Sequence, residues 1–219
     1  PFAFAELAFR HLPSDAERGE LSAVFEDGVK LGDGFAGGVR AVVEVVLQSP
    51  EFLYLIERGS GRVEGAAVAL SGDESAARLA YFLTGAAPDN ELRAMASLGE
   101  LSAAALAQQA RRLLGTPANR EQTRRFYARR LRLDDLSAAA PEFDVELVEF
   151  AREQSARFVE DVTYDGAGTF RALLTEPSTW VNGRLAGFYG FPGVTGDAFQ
   201  KLPLDPAEHA GLFTQAAFL

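Results

Sequence analysis

The spacing of hydrophobic and polar positions reads as a succession of short helices punctuated by glycine and proline. Phe2 to His11 is apolar and stops at Pro13, whose ring cannot continue a helix. Ser14 and Glu17 have the three-residue spacing of a capping box, and Leu21, Val24, Phe25 and Leu31 follow at helical intervals. Gly32, Gly34, Gly37 and Gly38 read as loosening the chain around Phe35, before an apolar helix through Val39, Val42, Val43, Val46 and Leu47. That helix ends at Ser49-Pro50, because the residue before proline is pushed out of the helical region. Glu51 to Glu57 fits either a short strand or another buried helical turn. Gly59, Gly61 and Gly65 mark a loop, and a second capping box, Ser71 with Glu74, opens a helix with Ala77, Ala80, Tyr81 and Thr84 on its buried side. Gly85 closes it.

Further along, Pro88-Asp89 restarts the chain into Leu92, Met95 and Ala96, closed by Gly99. Helices are predicted from Ser102 to Leu114 and from Ala118 to Leu131. Asp134 to Phe143, with three successive alanines and Pro141, is the best linker. A long helix then spans Val145 to Val162, with Leu147, Phe150, Ala151 and Phe158 along one side. A short helix from Phe170 to Leu174 follows, then one from Gly183 to Tyr189 that Asn182 is placed to cap. Turn residues dominate Gly190 to Pro206, where a small hairpin is weakly signalled, and Ala207 onward reads as helical again. The expected fold is all-α, a multi-helix globular array of about ten helices, forming two packed subdomains divided near Asp134 to Phe143.

Composition narrows the function more by exclusion than by indication. With 219 residues and 47% hydrophobic content, the chain can bury a sizeable core and is no disordered segment. No apolar stretch approaches the ~20 residues that span a bilayer, so no transmembrane segment is expected here. The net charge of −10 argues against a nucleic-acid binder, since phosphate neutralisation needs a basic surface. Without cysteine there is no disulfide, thiol chemistry, iron–sulfur cluster or covalent c-type haem attachment on this chain. The chain opens at Pro1 without an initiator methionine or secretory signal and closes inside an apolar run, which reads as part of a longer protein.

Few residues suggest chemistry. Gly59-Ser60-Gly61 with Gly65 has the look of a phosphate loop, but its third glycine comes one residue late and no Walker lysine follows; a flexible turn is the simpler reading. Arg111, Arg112, Arg120, Arg124, Arg125, Arg129, Arg130 and Arg132 concentrate positive charge near Phe126 and Tyr127. They suit either an anion-binding face or ion pairs with the protein's own carboxylates, and the net charge favours the second. Glu149, Glu153 and Asp161, with Glu160 and Asp165 nearby, are the candidate carboxylates for general acid–base work, although the same spacing is common on solvated helix faces. His209 is the one candidate cofactor contact. It has no histidine or cysteine at ligand spacing, and neither does His11, so no metal site is expected. Trp180 reads as a core anchor for an irregular loop.

Five phrases, taken in order, resemble a known set of domains. A-F-R-H-L-P-S-D-A-E (Ala8 to Glu17) is similar to AFRRPLTxxE, and L-Q-S-P-E-F-L-Y-L-I-E (Leu47 to Glu57) to LQSPxFLYRxE. S-A-A-R-L-A-Y-F-L-T-G-A-A-P-D-N-E-L (Ser75 to Leu92) resembles ELASRLSYFLWGSxPDxxL. W-V-N-G-R-L-A-G-F-Y-G (Trp180 to Gly190) resembles FVNxxLAxHYG, and H-A-G-L-F-T-Q-A-A-F-L (His209 to Leu219) resembles RAGLLTQAAFL. These belong to the consecutive domains of unknown function 1595, 1592 and 1588 of large exported bacterial proteins, the planctomycete-cytochrome-associated type and its myxobacterial relatives. The resemblance divides the chain at 1–70, 71–137 and 138–219. Four positions depart from the pattern: His11 and His209 stand where it has arginine, Arg130 where it has tryptophan, and Phe188 where it has histidine.

The resemblance implies a structural or interaction module of an exported, haem-associated multidomain protein. Its location would be periplasmic or extracellular, anchored to a membrane by a segment ahead of Pro1. Its partners would be other domains or subunits of that assembly and a cytochrome, with haem c carried on another segment or on that partner. An acidic surface suits a basic partner. The alternative is part of a cytochrome-linked oxidoreductase or an extracellular polymer hydrolase, with a concave pocket where Glu149, Glu153, Asp161, Trp180 and Tyr189 or His209 converge.

Overall fold

The computed structural model describes residues 2–61, 63–64, 67–137 and 144–219. The chain forms two compact units, divided between Asn119 and Arg120. The division thus falls before the linker expected at Asp134 to Phe143, of which residues 138–143 lie outside the described residues. Side-chain partners explain its place. The Asn119 amide donates to Leu83 O at 2.6 Å within the first unit, whereas Arg120 pairs with Glu160 and Asp165 in the second.

The first unit begins with α1 (Phe2–Phe9), α2 (Asp15–Lys30), α3 (Phe35–Gln48) and α4 (Pro50–Leu53), packed around Ala5, Phe9, Leu21, Val42 and Val46. The first capping box forms as read, Ser14 N donating to Glu17 Oε2 at 2.7 Å and Glu17 N to Ser14 Oγ at 3.3 Å. Gly37 and Gly38 do not loosen the chain; they lie inside α3. A β-carbon on Gly28 would come within 2.7 Å of Gly37 O, and one on Gly38 within 2.7 Å of the Phe25 ring, so these glycines let α2 and α3 cross closely. The ambiguous stretch after Pro50 resolves as one helical turn capped by the Ser49 hydroxyl, then extended backbone from Tyr54. A two-residue antiparallel pair follows, β1 (Val63–Glu64) with β2 (Ala67–Val68).

α5 (Gly72–Thr84), α6 (Asn90–Ser97) and α7 (Ala103–Leu114) enclose a second cluster of the same unit, built on Ala76, Ala80, Leu92, Ala96 and Leu113. Here the second capping box does more than cap. The Glu74 carboxylate accepts from Ser71 N at 2.8 Å and also from the amides of Arg58 at 2.6 Å and Gly59 at 3.0 Å. The glycine loop that resembled a phosphate cradle therefore holds an anion, the protein's own.

Burial pushes the Glu74 carboxyl upward, but the amides of Ser71, Arg58 and Gly59 outweigh it and hold the group below its ordinary value. Neighbouring Asp73 goes the other way, raised by burial and by the Glu74 charge against the pull of His11. Glu74 thus contributes stability that is present above the ordinary glutamate range and lost as pH falls through its lower folded value; Asp73 contributes with the opposite sign. Glu74→Gln is expected to lower stability at neutral pH and to flatten its decline below about pH 4.5, while Asp73→Asn steepens that decline. Urea unfolding at a series of acid pH values checks this, and parallel acid profiles for Glu74→Gln and the parent protein would refute it.

The second unit carries the remainder of α8 (Pro117–Arg130), then α9 (Val145–Glu160), α10 (Phe170–Thr175), β3 (Ser178–Val181), α11 (Gly183–Tyr189) and β4 (Gln200–Pro203). α9 continues into a π-helical turn over Asp161–Asp165. Its core has two clusters, one on Leu147, Ala151, Val181 and Leu185, the other on Phe158, Val159, Val162 and Leu173. The fold is all-α as expected, with eleven α-helices among the described residues.

Two local expectations need correction. The hairpin signal in 190–206 marks only its second strand: β4 pairs antiparallel with β3, Trp180 opposite Lys201, and α11 lies between the strands in sequence. Trp180 therefore sits on a strand, half-buried, rather than in an irregular loop. The last segment is not an α-helix. It makes two 3-10 turns, Leu212–Thr214 and Ala216–Phe218, because Gly211 (φ 73°) and Gln215 (ψ 151°) break the helical backbone before each.

Candidate functional site

The sequence candidates concentrate between α8 and α9 in the second unit. α8 presents Arg120, Arg124 and Tyr127 at helical spacing to one side, with Leu131 just past its end, and α9 answers with Glu153, Arg157 and Glu160. Arg120 lies 3.3 Å from Glu160 and 3.1 Å from Asp165 on the π turn, while its guanidinium stands 4.7 Å from the centre of the Tyr164 ring. Arg124 reaches Glu160 at 3.1 Å and also pairs with Glu153, which accepts in addition from Arg157 Nε at 2.6 Å. Arg157 then covers Phe199 at 4.9 Å and Trp180 at 5.8 Å. The Arg120 hydrogen bonds and charge hold Asp165 below the usual carboxylate range. Five of the eight arginines of that concentration, Arg112, Arg120, Arg124, Arg125 and Arg132, are paired with the protein's own carboxylates.

An open cleft of about 470 Å³ lies here, with Glu149, Glu153, Arg124, Arg152, Phe150 and Phe199 on its walls. Glu149 is paired with Arg152 at 2.6 Å, and Arg152 also donates to the carbonyls of Leu133, Asp134 and Leu136. Asp161 does not line the cleft; it is paired with Lys201 at 2.6 Å on β4. Of the residues expected to converge, the cleft brings Glu149 and Glu153 together and leaves out Asp161, Trp180, Tyr189 and His209. Each candidate carboxylate is ion-paired, Glu149 with Arg152, Glu153 with Arg124 and Arg157, and Asp161 with Lys201.

His209 packs edge-on against Tyr189 and Phe191, each ring centre 6.3 Å away. His11 is in the first unit, 3.8 Å from Glu17. No group of three histidine, cysteine or carboxylate side chains among the described residues can hold a metal ion. The residues present do not make a haem c site: there is no thiol to attach it, and the second unit has no second histidine or methionine to complete axial ligation with His209.

Sequence reasoning missed the polar residues that matter most to the interior. Gln154, Thr179 and Gln215 are fully buried and bonded in series, Gln154 Nε2 to Thr179 Oγ1 at 2.8 Å and Thr179 Oγ1 to Gln215 Oε1 at 2.6 Å. Gln154 Oε1 accepts from Tyr189 OH at 3.1 Å and from Ala216 N at 3.0 Å. Burial pushes the Tyr189 phenol up to about 12, against these hydrogen bonds. In the first unit Arg10, held at φ 64°, buries its guanidinium against the carbonyls of Glu51, Phe52 and Tyr54 and the hydroxyl of Tyr81, closing the end of α4. Each of the five phrases contributes to one of these two knots: Arg10, Glu51 to Tyr54 and Tyr81 to the first, Tyr189 and Gln215 to the second.

Comparison with known families covers the first four of the five phrases. Residues 2–57 match a family described as a protein of unknown function, DUF1595 (PSD5), and residues 70–191 match another so described, DUF1592 (PSD4), which runs past the boundary expected at 137. No curated protein and no solved structure matches the chain. With its larger match covering more than half of the chain, this protein belongs to the DUF1592 family of proteins of unknown function and carries a DUF1595 segment ahead of that domain.

Proposed function

We propose that this chain is a helical interaction module of an exported, haem-associated multidomain protein, and that it holds and presents partners rather than performing a reaction of its own. The observation that carries this reading is where the polar residues of the family phrases spend their hydrogen bonds: Arg10, Tyr81, Tyr189 and Gln215 bond other parts of the scaffold. Arg10, although it borders a cavity of about 240 Å³ with His11, Glu51 and Asp73, commits its guanidinium to backbone carbonyls. Haem c sits on another segment or on a cytochrome partner, and the net charge of −10 suits docking to a basic one. The protein works in the periplasm or outside the cell, and a third domain of the 1588 kind concerns the stretch beyond residue 191.

The test is the visible spectrum and whole-chain mass of the native protein. A Soret band, in a chain well above 23.5 kDa or in a complex that co-purifies, is the expected result. A colourless protein that cleaves extracellular polymers would replace this reading with that of a hydrolase built on the Glu149–Glu153 cleft.

A further inference from the structure

α8 has a second face, and it is not committed to the fold. Gln122, Arg125, Phe126, Arg129, Arg130 and Arg132 line an open groove of about 500 Å³, and of these only Arg125 also borders the cleft against α9. Phe126 is 59% exposed, held edge-on to Tyr127 with ring centres 5.3 Å apart. Arg125 meets Glu121 and Arg132 meets Asp135, both across exposed pairs of little energetic weight. Arg129 and Arg130, exposed, have no carboxylate partner among the described residues. An exposed phenyl ring between unpaired guanidiniums adds nothing to a helix that any good helix former would serve as well. Arginine and aromatic side chains together are, however, what the centres of protein interfaces are enriched in.

We infer that this face docks a carboxylate-rich segment of another protein that also bears an aromatic or large apolar side chain. Guanidinium forks match carboxylates in bidentate geometry, and Phe126 offers the apolar seat between them. Overall charge does not oppose this. Beyond about 8 Å at physiological ionic strength the acidic remainder of the protein is screened, so a short acidic segment meets mainly the local arginines. A nucleic acid fits less well: strand binders stack successive bases on several aromatics, whereas Tyr127 is packed against the Phe158 cluster and Phe126 stands alone on this face. The inference rests on the reading of the chain as an interaction module but not on its association with haem, so a haem-free parent leaves it standing.

The experiment is fluorescence anisotropy of the whole chain with a labelled peptide of alternating glutamate and phenylalanine. A peptide with glutamine for glutamate and a thymidine oligonucleotide of equal charge serve as comparisons. The acidic peptide is expected to bind, with affinity reduced about tenfold or more by Arg129→Gln with Arg130→Gln and severalfold by Phe126→Ala. All three positions are exposed, so circular dichroism should match the parent protein. Failure of the acidic peptide to bind, indifference to the double arginine variant, or equal or tighter binding of the oligonucleotide would each overturn the inference.

Discussion

Gly211→Ala should destabilise the second unit by about 3–5 kcal/mol, a large share of the ~5–15 kcal/mol that holds a typical domain together. Two effects add at this position. Gly211 has φ 73° and ψ −173°, a region essentially restricted to glycine that costs a residue with a β-carbon on the order of 1–3 kcal/mol. The new β-carbon would also fall 2.2 Å from Leu174 O and 2.3 Å from Leu174 C, in the last turn of α10. Neither neighbour is a flexible side chain, so relief requires a backbone shift. Gly211 N donates to Glu176 O at 2.9 Å, and Gly211 O accepts from Gln215 Nε2 at 3.1 Å and from Thr214 Oγ1 at 3.0 Å. Moving it disturbs the buried glutamine network as well. Gly193→Ala is the control: φ is 86°, yet a β-carbon there meets nothing within 4 Å, so it should cost only the conformational part. Urea denaturation of both variants separates the terms, and a Gly211→Ala loss no larger than that of Gly193→Ala would refute the steric argument.

The contrast between those two glycines also shows what a sequence conceals. Capping boxes, proline stops and helical stripes are local: they placed α2 and α5 because a Ser and a Glu three residues apart satisfy each other whatever surrounds them, and α9 by its apolar stripe. Close approach is not local. Gly37 and Gly38 look like a hinge until α2 is seen to press Gly28 and Phe25 against them. Strand β3 was illegible for a similar reason: its four residues acquire strand character from pairing with β4 across α11. The candidate carboxylates could be named from spacing, but their ion-pair partners on α8 and β4 could not, because those lie far away in sequence. Gln154 gave no sign at all, sitting between Glu153 and Ser155 in a run that reads as solvated.

That glutamine is the site of the second large effect. Gln154→Leu keeps the volume of the side chain and removes its hydrogen bonds, which should cost about 3 kcal/mol. The loss comes from what is left behind. Ala216 N–H and Tyr189 OH lose their acceptor in a dry interior, and Thr179 loses a donor. The Tyr189 hydroxyl retains only a 3.5 Å contact with Thr214 O, too long to compensate. Tyr189→Phe alone should cost about 1 kcal/mol, since it removes the donor together with its need for a partner. Combined with Gln154→Leu it should cost nothing further, and the double variant should be more stable than the sum of the single losses predicts by about 1 kcal/mol. A double-mutant cycle in urea reads this coupling directly. Strict additivity would mean that Tyr189 finds another acceptor when Gln154 is lost, and that the two residues do not act as one network. Coupling of the expected size would mean that the end of the final phrase, Leu212 to Leu219, is held to α9 through Gln154, although each of its two turns is too short to be stable alone.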